Sequence, residues 1–354
     1  MAITRITGTQ TRAIYALGTT GTAFGTAIAG GANDRIRGNI STSFQSQELM
    51  KNPIGSGLTM LDDVIAGRLT PSITISGDVG FRSGADRIAA QFFGTSSIGT
   101  EITPAQADYL HKLSMNAVAN SVYGTIAYEM TTAKVGELPS CACKSFSTSF
   151  GDTDEIVQFS AEFMGNDFIT TSVINTNATI GSATMTDSEC VIVKTADDFW
   201  LNVESAGALS SGDQYNIVSY SRVLNRPQAF SGQVRGTSGN TAPLADEIID
   251  GTVSITIEAL DDVTKFDSWL AGTFFKCKLN IEGTQIGTGS YKTWTEWTPR
   301  MKLVQAPKYD ITDAGYNTVS MEFKILEASA NPTGMDFKLP YVSIINGRST
   351  TYIA

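Results

Sequence analysis

Between Ser254 and Thr273 the hydrophobic period of the chain changes from two to about 3.6. Ser254-Ile255-Thr256-Ile257 alternates hydroxyl and β-branched apolar residues, which suits a half-buried pleated surface. Phe266, Trp269 and Leu270 then fall at i, i+3 and i+4 on one helical face, after Asp261 or Asp262 as a cap. Gly272 follows, where a helix end favours a residue tolerant of positive φ. The unit is therefore strand, cap, short amphipathic helix, glycine stop. It has a forerunner in Ser72-Ile73-Thr74-Ile75, followed by Asp86, Arg87, Ile88, Gln91, Phe92 and Gly94-Thr95.

Further matches occur in the same order. Leu61-Asp62-Asp63-Val64-Ile65-Ala66-Gly67 is similar to Leu244–Gly251. Lys112-Leu113-Ser114-Met115 matches Lys278-Leu279-Asn280-Ile281, and Tyr123–Ile126 matches Tyr291–Trp294. Val157, Phe159, Ala161 and Phe163 alternate like Val319, Met321, Phe323 and Ile325. The offsets drift, as loop insertions and deletions would make them. This order predicts a tandem duplication of one β-rich unit with a single helix. The expected divisions are an N-terminal arm at 1–40, a first unit at 41–171, a connector or inserted β subdomain at 172–218 and a second unit at 219–354. The Gly/Ala/Thr-rich arm is readable as a segment ordered by a partner or as a loose terminus.

Composition supports a β protein. The chain has 354 residues, enough for two cores, with 42% hydrophobic and 17% charged residues, so it is not a disordered acidic chain. With 33 glycines and no long A/E/K/L stretch, turns and strands are favoured over helices. No apolar run approaches the roughly 20 residues of a membrane span. Met1-Ala2-Ile3-Thr4-Arg5 lacks the apolar core of a signal peptide, so folding in a cytoplasm is expected. The net charge is −10, and Lys and Arg never form a run of three, which argues against a grip on nucleic acid through phosphates. The acidity reads either as solubility or as a surface that repels polyanions.

The candidates for chemistry are weak. His111 is the only histidine and sits in an alternating strand-like run, so an edge or surface position is expected rather than a catalytic one. Cys141, Cys143, Cys190 and Cys277 include no C-x-x-C pair, which predicts buried free thiols rather than a zinc site. Asp62-Asp63, Asp197-Asp198 and Asp261-Asp262 lack the surroundings of an acid/base pair, and turns or helix caps account for them. Gly232–Gly239 is glycine-rich but has no lysine or following helix to make a phosphate loop. Trp294 and Trp297 could form a stacking platform, although packing is the more ordinary role. No catalytic, cofactor-binding or metal-binding residue is expected, and the chain does not read as an enzyme.

The duplicated unit resembles the tail tube proteins of long-tailed bacteriophages, and within them the larger ones built from two fused units. Val253–Thr273, Phe274–Ile281 and Val319–Ala328 carry the likeness best, and Leu61–Gly165 carries it more weakly. The resemblance implies a mainly β chain of two tandem β-sandwich or half-barrel units, each flanked by one helix, sharing a barrel on oligomerisation. It implies trimeric pseudo-sixfold or hexameric rings that stack into a tube, with other tail proteins at the ends. DNA would pass a negatively charged lumen without specific binding, and no membrane would be involved. The protein would reside in the virion tail, assembled in the host bacterial cytoplasm. A virion decoration or host-surface-binding β-sandwich, with Trp294/Trp297 as its site, is the alternative.

Overall fold

The computed structural model describes residues 12–19, 22–51, 63–96, 99–115, 122–131, 133–152, 155–193, 199–230, 242–245, 248–258, 264–310 and 317–353. The chain is mainly β and antiparallel. Its first half holds strands β1 (Ala13–Leu17), β2 (Asn39–Lys51), β3 (Asp63–Asp78), β4 (Gly94–Ser96) and β5 (Thr100–Glu101). They are followed by β6 (Tyr109–Met115), β7 (Gly124–Thr131), β8 (Lys134–Phe150) and β9 (Gln158–Gly165). Next come β10 (Phe199–Val203), β11 (Gln214–Tyr215), β12 (Ile217–Asn225), β13 (Gln228–Phe230), β14 (Pro243–Ala245) and β15 (Asp250–Glu258). The last are β16 (Phe274–Gly287), β17 (Ser290–Leu303), β18 (Lys308–Asp310), β19 (Thr318–Ile325) and β20 (Tyr341–Asn346). The helices are α1 (Ala85–Phe93), α2 (Asn177–Ser182) and α3 (Thr264–Leu270).

A seven-strand layer runs β2-β3-β9-β8-β12-β15-β19. A second path runs β11-β10-β16-β17-β20-β6, with β4 and β5 on β6. The paths meet where Met301–Leu303 of β17 pairs with Phe323–Ile325 of β19. No sheet closes. The two halves follow one pairing order: β3-β9-β8-β7 in the first and β15-β19-β17-β16 in the second. A helix follows the first strand of each.

Prolines mark the same place in both halves. In β7–β8 the register shifts between Gly124↔Cys141 and Ile126↔Leu138, leaving Pro139 and Ser140 opposite Thr125. In β16–β17 it shifts between Phe275↔Met301 and Cys277↔Thr298, leaving Pro299 and Arg300 opposite Lys276. Proline has no N–H to give a ladder, so a bulge is where a strand can hold it.

The halves share one core. β8 pairs β12 over Ser145–Phe150 and Tyr220–Asn225, and a single buried cluster contains Ile73, Phe146 and Phe163 together with Ile255, Met321 and Phe323. Beneath this ladder lies a buried ion pair. Arg222 Nε stands 2.8 Å from Glu296 Oε2, with both side chains 1% exposed. Glu296 also accepts from Tyr220 Oη at 3.0 Å, Thr148 Oγ1 at 2.9 Å and Trp294 Nε1 at 3.0 Å. The guanidinium sits over the Phe93 ring of α1. Three strands, β8, β12 and β17, are thus tied to one carboxylate, and α1 meets its arginine.

The helices differ in cover. Every residue of α1 is buried, and it packs on β8, β6, β1 and β20. In α3 only Trp269 packs on the core, while Phe266 is 38% and Leu270 64% exposed, so much of the expected apolar face meets solvent. The glycine stop is present. Gly272 has φ +65° and its N–H bonds Trp269 O, while Thr273 N–H bonds Ser268 O. The expected caps Asp261 and Asp262 lie outside the described residues.

The N-terminal stretch is not free-standing where it is described. β1 pairs β7, Ile14 and Tyr15 are fully buried, and Arg12–Glu129, Asp34–Arg87 and Arg37–Asp78 ion pairs pin its length. The glycines and threonines of this stretch hid those anchors from a reading by periodicity. The connector divides its loyalties. Val191 bonds Val79 and Val157 in the first half, whereas β10 pairs β16 in the second.

Two outcomes test this account. Glu296→Ala leaves a buried guanidinium unpaired and is expected to cost about 3–5 kcal/mol in urea unfolding. Gly272→Ala meets only the flexible end of Lys302, so its cost is conformational, about 1–2 kcal/mol in the same measurement.

Candidate functional site

The seven-strand layer has one buried face and one open face, because side chains alternate along each strand. Residues opposite each other across the ladders form rows. On the buried face one row reads Ile75–Ala161–Phe146–Leu224, and the next Phe159–Thr148–Arg222–Val253–Phe323. On the open face the rows are hydroxyl-rich. One reads Ser41–Thr74–Glu162–Ser145–Asn225–Asp250. The next reads Asn39–Ser76–Ser160–Ser147–Val223–Thr252–Lys324. A third reads Asp78–Gln158–Ser149–Ser221–Ser254–Glu322, and a fourth Ser219–Thr256–Ser320–Lys308.

These rows make one surface that crosses from the first half to the second without a break at β8–β12. Over β8, β12, β15 and β19 it is concave, with an open hollow of about 760 Å³ lined by Ser149, Ser221, Ser254, Thr256 and Ser320. Its charges are mostly neutralised locally. Lys144 holds Glu162 at 2.7 Å, Lys324 holds Asp250 at 2.8 Å, Arg37 holds Asp78 at 3.1 Å and Lys308 holds Asp310 at 3.2 Å. Glu322 accepts from Gln305 instead. Short hydroxyls hydrate readily, offer no apolar patch and carry no cationic fork for phosphate. The surface can face a passing polymer without holding it. The alternation in β3, β9, β15 and β19 was the sequence signal for this face, and the ladder register is what aligned it.

The single residues singled out earlier are mostly internal. His111 is fully buried, not at a surface. Its strand β6 lies between β20 and β4/β5, its Nε2 donates to Arg348 O at 2.7 Å, and its ring meets Tyr352 edge-on. The C-terminal residues 347–353 cover it, and sequence distance concealed that. Burial pulls its pKa down, and Nδ1 is buried without a hydrogen-bond partner. Cys141, Cys143 and Cys277 are free and buried. Burial pushes the Cys141 and Cys143 thiols up, and Cys277 up to about 12, which removes thiolate reactivity. Cys190 is half-buried beside Arg37.

Trp294 and Trp297 do not form a joint platform. Three residues apart on a strand, they point to opposite faces. Trp294 is fully buried and donates to Glu296, whereas Trp297 stacks on Tyr341 at 5.4 Å and donates to Ser343 Oγ. Asp62, Asp197, Asp198, Asp261, Asp262 and the glycine-rich stretch Gly232–Gly239 lie outside the described residues. Among the described residues no group of three His, Cys, Asp or Glu side chains could hold a metal ion, and no helix is long and apolar enough to cross a membrane.

No protein-family model matches this chain, and no curated protein matches it.

The buried histidine supplies a test. Its folded pKa lies below the ordinary value of about 6.5, so the unfolded state takes up a proton first as pH falls. Stability from this site is complete above that value and declines below it. In urea melts, His111→Gln is expected to flatten the loss of stability between neutral pH and mildly acid pH.

Proposed function

We propose that this protein is a structural subunit of a bacteriophage tail tube, with the hydroxyl-lined face as the wall of the lumen. The carrying observation is that face: one continuous, small-polar surface, concave over β8, β12, β15 and β19, shared by both halves of an open antiparallel sheet. A ring of such chains would close the sheet and remove its unpaired edges, which an isolated subunit leaves exposed. Stacked rings, of three or six chains, would enclose a channel for viral DNA. The acidic chain, at net charge −10, adds a general repulsion of polyanions. On the wall itself most carboxylates are ion-paired, so weak adhesion there rests on hydroxyls and the scarcity of free cations as much as on negative charge.

The duplication belongs to this reading. The shared pairing order and the paired proline bulges support it. They also sharpen the match between halves. Ser160-Ala161-Glu162-Phe163 falls on Ser320-Met321-Glu322-Phe323, because Cys143↔Phe163 and Leu303↔Phe323 follow the two bulges at the same spacing. That is two residues away from the match by alternation alone. It makes β7 and β8 the counterparts of β16 and β17, so Lys112–Met115 in β6 has no partner in β16. The chain's role on this reading is structural, with no catalytic step, and its place is the virion tail.

Electron microscopy of the purified protein at high concentration tests the proposal. Rings or tubes with three- or sixfold averaged symmetry are expected. A monodisperse monomer under all assembly conditions would count against it.

A further inference from the structure

The ladder between the halves specifies the ladder between chains. Among the described residues β2 pairs only with β3, and β18 only with β19, so the seven-strand layer ends in two open edges. Inside the chain an equivalent pair of edges is already joined, at β8–β12. There Ser149 lies opposite Ser221, Thr148 opposite Arg222 and Ser147 opposite Val223.

Each open edge has a counterpart in that joint. Through Thr74 and Ser254, which face Glu162 and Glu322 respectively, Ser41 of β2 takes the place of Ser221 of β12. The sequences then agree in pattern: Asn39-Ile40-Ser41-Thr42-Ser43-Phe44-Gln45 against Ser219-Tyr220-Ser221-Arg222-Val223-Leu224-Asn225. Through Ser160 and Ser320, Lys308 takes the place of Ser147, so Tyr309 stands for Thr148 and Asp310 for Ser149. β8 runs through where its counterpart is broken by Val304–Pro307 into β17 and β18.

We infer that the β18 edge of one chain pairs antiparallel with the β2 edge of a second copy, with Asp310 opposite Ser41 and Lys308 opposite Ser43. The inference rests on the two-repeat tube reading above and adds to it the edges and their register. In this register Ser41, Ser43, Lys308 and Asp310 all belong to the hydroxyl-lined face, so the wall continues across the seam as it does across β8–β12. A one-residue slip would turn one strand's face over and break that continuity. The occupant is a second copy because the joint reproduces one that this chain already makes. The two edges are different surfaces, so the contact is head-to-tail and propagates until a ring closes.

Opposed residues in an antiparallel pair have Cα atoms about 4.5–5.5 Å apart, within reach of a disulfide. The test is Ser41→Cys with Asp310→Cys in one chain, in a Cys190→Ser background, treated with oxidised glutathione after assembly. Non-reducing gels are expected to show a ladder of covalent oligomers ending at the ring size, and neither single-cysteine variant should give more than a dimer. Gln45→Cys with Asp310→Cys places the thiols about 13 Å apart along the strand and should stay uncoupled. Rings visible by microscopy without the Ser41–Asp310 ladder would overturn the edge pairing and leave the tube reading standing. Absence of both rings and ladder would overturn both. Coupling of the Gln45 pair instead would overturn the register.

Discussion

The structure depends on the ladder between β8 and β12 and on the carboxylate beneath it. The ladder makes one layer out of two halves, and Glu296 fastens it to the second path of strands through Arg222, Tyr220, Thr148 and Trp294. A buried ion pair of this kind adds little net stability over a well-packed apolar core. What it adds here is position. An arginine with a single well-placed carboxylate cannot shift by a strand or a register without leaving charge unpaired in a dry interior. The open face above it inherits that precision.

An amphipathic sheet of this breadth raises a problem that the chain by itself does not solve. Its buried side is covered by α1 and by the second path of strands, and its open side is covered with hydroxyls. Its end strands, β2 and β18, each have one strand neighbour among the described residues. A long exposed edge invites pairing with another chain. The proposed role turns that liability into the assembly rule, with the same geometry used once inside the chain and again between chains.

Much of the fold was legible in the residues. Alternation in Ser72–Ile75, Ser254–Ile257, Phe159–Phe163 and Val319–Ile325 announced strands with one wet and one dry face. Gly94 and Gly272 marked both helix ends, with positive φ at each. What failed to show were contacts made over long sequence distance. His111 looked exposed because the residues that bury it lie at 347–353. The packing expected for Trp294 and Trp297 is present, but strand geometry sets the two rings on opposite faces. The N-terminal stretch read as a partner-ordered arm or a loose terminus because its anchors are charges and a short strand, not a periodic apolar pattern.

The sequence by itself determined the class: strands of period two and two short amphipathic helices with glycine stops. It also determined which residues of each strand could face water, because that follows from alternation. Only the tertiary structure decided how the strands were laid side by side. Register aligned serines and threonines from seven strands into one surface, and it placed a proline bulge in β8 and another in β17. Neighbours in an antiparallel sheet are chosen by hydrogen-bond ladders between distant segments, and no local pattern of residues encodes that choice.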